Sequence, residues 1–189
     1  MKITPIFHIL SILIMPLSGF MMVSGFVDFV YNNQNWINFF ISATITLFVG
    51  MSVFLATRGH NDQNVDLRQA FVLTTMSWIT IAFFGALPFY FSNINLGFTD
   101  SFFESMSGIT TTGSTILINI EESPPGILAW RSLLQWLGGI GVIVMAIAIF
   151  PMLSVGGMQL FKAENFEHPE KLFQEQHHLQ GEYLLFIQL

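Results

Sequence analysis

Long apolar runs alternate with short polar connections along this chain. The apolar runs cover residues 3–30, 36–57, 69–91 and about 126–153. Each is as long as the roughly 20 apolar residues that a helix needs to cross a bilayer. A charged start and an apolar run are also typical of a secretory signal peptide, but the first run continues past the usual signal length. The pattern therefore predicts an all-α integral membrane protein with about four transmembrane helices.

One stretch between the third and fourth runs is too short and too polar to cross a bilayer. It reads FFESMSGITTTGST over residues 102–115. We expect a pore helix over about 99–109, capped by Thr99 and Asp100, followed by an extended threonine–glycine segment over 110–114. Irregular backbone at membrane depth is tolerated where it is buried or lines a watery cavity. The order of elements predicts a re-entrant pore loop, and a threonine-rich surface loop is the alternative.

Composition excludes several classes of protein. The chain is 52% hydrophobic and 10% charged, well below the charge content of soluble domains. Its net charge of −6 with six Lys and Arg residues argues against nucleic acid as a partner. It has no cysteine, hence no thiolate nucleophile, and no nucleophile–base pair or phosphate-binding loop is evident. We therefore expect a membrane protein that is not an enzyme.

The basic residues predict the orientation of the chain. With four spans and a re-entrant loop, most basic residues fall on one side, which is cytoplasmic by the positive-inside rule. These residues are Lys2, Arg58, Arg68, Lys162 and Lys171. Both chain ends are then cytoplasmic. Four acidic residues fall on the outer side near the mouth of the loop, where they would raise the local cation concentration. They are Asp28, Asp100, Glu121 and Glu122.

The loop has the chemistry of a cation filter. Rings of backbone carbonyls can replace the hydration shell of a permeant cation, and an extended segment over 110–113 would offer them in succession. Gly113 allows a positive φ where the backbone turns a carbonyl. The C-terminal end of the pore helix carries partial negative charge, which attracts cations. Glu104 lies inside this helix. It is expected to brace the loop or pair with Arg131, rather than to bind the ion.

Two runs carry a resemblance to a known family. They are FFESMSGITTTGSTI and LLQWLGGIGVIVMAIAIFPMLSVGGMQLFKAE. They resemble the Trk/Ktr potassium-uptake transporter family, and its TrkH-like members in particular, which repeat the M1–P–M2 unit of potassium channels. The resemblance implies that Thr111 and Thr112 contribute K⁺-binding oxygens, with Thr110 and Gly113 next in line. We also expect Glu104, Ser114 and Arg131 to support the filter.

The resemblance carries further expectations about organisation and partners. Residues 1–60 would form two N-terminal helices and 61–165 one M1–P–M2 unit, with a divergent cytoplasmic tail at 166–189. Transporters of this family have four such units in one chain, so a truncated N-terminal portion is expected, and a subunit that assembles fourfold is the alternative. K⁺ would be the transported ion, with no organic cofactor.

The expected setting is the bacterial cytoplasmic membrane and its lipid. A dimer and a cytoplasmic nucleotide-binding ring protein of the TrkA type are the implied partners. A non-conducting membrane scaffold is the alternative function, because one unit supplies only a quarter of a filter.

Overall fold

The computed structural model describes residues 4–59, 67–118 and 120–149. The chain divides into two compact units, Met1–Ala146 and Ile147–Leu189, and the packing below is that of the first. The described residues form six α-helices and a short 3₁₀ turn, Ile120–Glu122. The helices are α1 Thr4–Val30, α2 Trp36–Thr57, α3 Leu67–Gly85, α4 Leu87–Phe91, α5 Phe98–Ile109 and α6 Pro125–Ile149.

Four stretches of helix are long and apolar enough to cross a membrane. They are Thr4–Val30, Trp36–Thr57, Gln69–Phe91 and Pro125–Ile147. The prediction of an all-α protein with four apolar spans is thereby confirmed for the described part of the chain. The predicted end of the fourth span at 150–153 and the tail at 166–189 lie outside the described residues. So do Lys2, Lys162 and Lys171.

Helices α1 and α2 form an antiparallel hairpin packed through small side chains. Ser42, Thr46 and Gly50 recur every four residues on α2 and are all buried. The Thr46 hydroxyl lies 3.6 Å from the Met21 sulfur of α1. At Gly50 an added Cβ would lie 3.3 Å from the side chain of Met15. These small residues therefore allow the two helices to pack closely.

The third span is divided by a break at Gly85. Pro88 has no N–H to donate to the carbonyl of Phe84, so regular α-helical bonding cannot continue across it. Helix α3 therefore ends at Gly85 and α4 begins two residues later. The carbonyl of Gly85 accepts a buried hydrogen bond of 2.9 Å from Nε1 of Trp130 in α6. The break thus supplies a contact between the third and fourth spans.

The start of α5 differs from the predicted one. Gly97 is the N-cap, with extended backbone (φ −66°, ψ 164°) and no side-chain cap. Thr99 and Asp100 lie within the first turn, so the prediction that they cap the helix is wrong. Asp100 still places negative charge near the positive end of the helix dipole. The hydroxyl of Ser101 donates to the carbonyl of Gly97.

Candidate functional site: a clamped turn between α5 and α6

Helices α5 and α6 lie side by side and run in the same direction. Three contacts show this direction, because the residue numbers rise in both helices from one contact to the next. The contacts are Glu104 with Arg131, Gly108 with Leu134, and Ile109 with Gly138. At Gly138 the packing leaves no room for a side chain, because an added Cβ would overlap the carbonyl of Ile109. At 1.5 Å per residue, Gly138 lies about 20 Å along α6 from Pro125. The end of α5 therefore lies past the middle of an apolar span.

The segment between α4 and α6 enters and returns on one side of the unit. Helix α5 begins beside the end of the third span, where the Phe98 ring contacts the rings of Phe83 and Tyr90 at 5.8 and 6.2 Å. It ends deep against Gly138, and the chain then returns to the start of α6 at Pro125. The turn that joins the end of α5 to the returning part of the chain is therefore the deepest part of this segment.

Helix α5 ends in a tight capping turn at the threonines. The N–H of Thr111 donates to the carbonyl of Gly108 at 3.0 Å, and that of Thr112 donates to the carbonyl of Ser107 at 3.1 Å. This is the Schellman arrangement, which requires a left-handed residue at the position of Thr111. Thr111 has φ +59°, an unusual and strained value for a β-branched residue. The prediction that the segment is extended from Thr110 is therefore wrong, because Thr110 and Thr111 close the helix.

The apex of the turn is exposed and rich in oxygen atoms. Residues 110–114 are all exposed, and Gly113 has the positive φ that was expected, +76°. The Thr110 hydroxyl donates to the carbonyl of Met106, so the Thr112 hydroxyl, 2.9 Å away, donates to Thr110. Among the residues that the structure describes, none donates a hydrogen bond to the carbonyls of Thr111, Thr112 or Gly113. These three carbonyls are available to a ligand.

Two polar side chains of α5 hold the segment that returns toward α6. Glu104 and Ser107 are three residues apart and therefore share a face of the helix. Oε1 of Glu104 accepts from the Thr115 hydroxyl at 2.5 Å and from the Ile116 N–H at 2.6 Å. The Ser107 hydroxyl donates to the carbonyl of Ser114 at 2.6 Å. The C-terminal end of the turn is thus held by the helix that precedes it.

The second carboxylate oxygen of Glu104 pairs with α6. Nε of Arg131 lies 3.0 Å from Oε2 of Glu104, close enough for an ion pair although the N–H direction is not that of a hydrogen bond. Glu104 is completely buried and Arg131 is 13% exposed. Both contacts considered from the sequence, with the loop and with Arg131, are therefore present together. A buried carboxylate without such partners would be costly.

Sequence reasoning missed two residues of this site and misplaced a third. Ser107 and Thr115 complete the clamp, and the signal for Ser107 was its spacing of three from Glu104. Asp28 was expected to face the outer mouth of the loop. Instead it is fully buried, and it accepts a hydrogen bond from the N–H of Gly126. Its charge lies at the start of α6 and not in solvent, so its predicted role in attracting cations is wrong.

Four apolar helices, with an entering and returning segment between the third and the fourth, define a pore-loop membrane protein. The profile of the TrkH family, described as cation transport protein, matches residues 35–175. This match covers most of the chain, and the chain belongs to that family.

Named relatives agree with the family assignment. The chain is 42% identical over 168 residues to the Trk system potassium uptake protein TrkI of Halomonas elongata, and the match covers 89% of this chain and 34% of that protein. It is 39% identical over 165 residues to TrkH of Escherichia coli K12, covering 87% and 34%. The crystal structure of the potassium transporter TrkH from Vibrio parahaemolyticus superposes with a TM-score of 0.76 at 30% identity. That superposition covers 97% of this chain and 37% of the solved chain. The chain thus spans about a third of the length of the relatives that it matches.

Proposed function

We propose that this chain contributes one pore-loop unit to a pathway for K⁺ uptake across a membrane. The observation that carries the proposal is the clamped, exposed turn over 110–114, whose carbonyls at 111–113 are free within the described residues. The named relatives, which include Trk system potassium uptake proteins, support K⁺ as the ion.

Each part of the turn has a role in this proposal. Carbonyl oxygens of Thr111, Thr112 and Gly113, together with oxygen atoms of Thr110, replace part of the hydration shell of K⁺. The C-terminal end of α5 points its partial negative charge at the same region. Glu104 and Arg131 hold the turn in place, and the carbonyl of Ser114 is fixed by the helix. One unit supplies one side of the ion pathway, so further units complete it.

The wider setting follows from the same proposal. The chain lies in the bacterial cytoplasmic membrane in contact with lipid, with both ends in the cytoplasm. Residues 1–60 form the two N-terminal helices, 61–165 the pore-loop unit, and 166–189 a cytoplasmic tail. A dimeric assembly and a nucleotide-binding ring protein of the TrkA type are the proposed partners. K⁺ is cargo, and the chain needs no organic cofactor and catalyses no reaction.

A chimaera tests the proposal independently of chain length. Residues 1–165 replace the segment of Escherichia coli TrkH that they match, in a host without its own K⁺ uptake systems. We expect growth at limiting K⁺ and a loss of K⁺ preference over Na⁺ on Thr112→Val, because valine removes the hydroxyl that donates to Thr110 at the apex of the turn. Thr44→Val is the matched control, because Thr44 is an exposed threonine of α2 whose hydroxyl bonds only to its own helix. Expression of the 189 residues alone shows whether copies of one unit assemble into a pore.

A non-conducting scaffold makes the opposite prediction. It expects stable insertion of the chimaera in the membrane with no K⁺ uptake, and equal behaviour of the Thr112→Val and Thr44→Val variants. Insertion without uptake would therefore contradict the proposed transport function.

A further inference from the structure

A buried carboxylate joins the N-terminal hairpin to the start of α6. Asp28 lies in the last turn of α1 and is fully buried. Its Oδ1 accepts a hydrogen bond of 2.7 Å from the N–H of Gly126, the second residue of α6. That N–H has no partner within its own helix, and the helix dipole makes it partly positive. Asp28 therefore caps a helix that lies 98 residues further along the chain.

The same carboxylate also fixes the turn between α1 and α2. Its Oδ2 accepts from Nδ2 of Asn35 at 3.2 Å, and Asn35 Oδ1 in turn accepts from Nδ2 of Asn38 at 2.9 Å. The N–H of Asn33 donates to the backbone carbonyl of Asp28 at 2.9 Å. Asp28 and Asn35 are both fully buried. One side chain thus connects the end of α1, the start of α2 and the start of α6.

The close contact between α1 and α6 leaves the start of α6 little freedom to move relative to α1. A Cβ added at Gly126 would overlap the carboxylate of Asp28 and would lie 2.7 Å from the carbonyl oxygen of Ser24. The start of α6 is therefore in backbone contact with α1. Further along the same helix, Arg131 pairs with Glu104 and Gly138 packs on the end of α5. A shift of α6 at its start would be transmitted to the two contacts that hold the turn.

We propose that Asp28 is a positioning residue for the turn over 110–114, acting through α6. It fixes the start of this helix against the N-terminal hairpin, and α6 then holds Glu104 and the end of α5 in register. This inference rests on the proposed transport function for its consequence on ion uptake. The two N-terminal helices thereby have a specific role, which is to anchor α6.

Two readouts test this role in the variants Asp28→Ala and Asp28→Asn. Ser11→Ala is the matched control, since Ser11 is equally buried in α1 and bonds only to the carbonyl of His8. The first readout is amide hydrogen exchange of the whole chain in lipid nanodiscs. The second is the apparent KM and Vmax for K⁺ of the chimaera, normalised to the amount of protein in the membrane.

Asp28→Ala is expected to speed amide exchange about tenfold or more at residues 125–128 and also at residues 104–116. A tenfold change corresponds to roughly 1.4 kcal/mol less free energy of protection against exchange. It is expected to raise the KM for K⁺ about threefold or more. Asp28→Asn keeps an acceptor for the Gly126 N–H and should fall between wild type and Asp28→Ala. Ser11→Ala should leave both quantities unchanged.

Faster exchange confined to residues 125–128, with KM unchanged and Vmax following protein amount, would overturn the inference, because it describes a local helix cap. Amide exchange that is unchanged at residues 125–128 and at residues 104–116 would overturn the inference as well. If the wild-type chimaera carries no K⁺, the proposed function fails, while exchange at residues 104–116 still decides whether Asp28 positions the turn.

Discussion

Substitution of Glu104 by glutamine tests the clamp that holds the turn. Glutamine keeps the shape of the side chain and an acceptor oxygen for the Thr115 hydroxyl and the Ile116 N–H. It removes the negative charge that faces Arg131 at 3.0 Å. The perturbation is therefore the loss of one charge from a buried pair, with little change in packing.

The magnitude follows from the burial of the two partners. Removing one member of a buried ion pair costs about 3–5 kcal/mol, because the other charge stays desolvated. Arg131 is 13% exposed, and this partial hydration places the expected loss near the lower limit, at about 3 kcal/mol. Two hydrogen bonds to a charged acceptor also become bonds to a neutral one, and each of these is weaker by about 1 kcal/mol.

The assay is reversible unfolding of the purified chain in mixed micelles, followed by tryptophan fluorescence. Glu121→Gln is the control for a removed carboxylate, because Glu121 is exposed in the 3₁₀ turn. The double variant Glu104→Gln with Arg131→Met closes a mutant cycle, and we expect a coupling of about 2 kcal/mol. The reasoning would be refuted if Glu104→Gln lowered the free energy of unfolding by less than about 0.5 kcal/mol. It would also be refuted if the effects of the two single variants added up to that of the double variant within about 0.5 kcal/mol.

The same unfolding assay checks three further predictions. Gly138→Ala should destabilise the fold by about 2–3 kcal/mol because its methyl group overlaps the end of α5, whereas Gly139→Ala, with no atom within 4 Å, should be neutral or slightly stabilising. Thr111→Gly should stabilise by about 1 kcal/mol by relieving the left-handed backbone, and Thr110→Gly, at φ −79°, should destabilise. Trp130→Phe should cost about 1–2 kcal/mol by leaving a buried carbonyl without its donor. Equal changes in the free energy of unfolding for the two glycine variants, or for the two threonine variants, would contradict the structural reasons given for them. So would an unchanged free energy of unfolding in Trp130→Phe.

The helices were predictable because a bilayer imposes a simple rule on sequence. A span must be long and apolar, so the runs at 36–57 and 69–91 were evident from composition. The positive φ at Gly113 was also predictable, since a glycine after threonines is the residue that turns the backbone at least cost. The break after Gly85 was harder to predict, because the carbonyl of Gly85 is satisfied by a tryptophan 45 residues away.

The details of the turn depend on contacts that no local pattern contains. β-Branched residues favour extended backbone, which is why the run from Thr110 was expected to be a strand. In the structure the capping bonds of α5 outweigh that preference and force Thr111 into the left-handed region. Asp28 was expected at the outer mouth of the loop because it lies at the end of an apolar run. Its partner at Gly126 is distant in sequence, and only the packing of α1 against α6 brings the two together.

The central claim is that the turn over 110–114 selects K⁺, and Gly113→Ala tests it most directly. At Gly113 an added Cβ meets only Nε2 of Gln135, at 3.8 Å, so the substitution changes backbone conformation at φ +76° and leaves the packing intact. The measurement is the ratio of K⁺ to Na⁺ uptake by the chimaera, compared with Gly139→Ala in α6. We predict that Gly113→Ala lowers this ratio about tenfold or more, at least roughly 1.4 kcal/mol of selectivity, while Gly139→Ala leaves it unchanged. An unchanged ratio in Gly113→Ala, with normal amounts of protein in the membrane, would contradict the account.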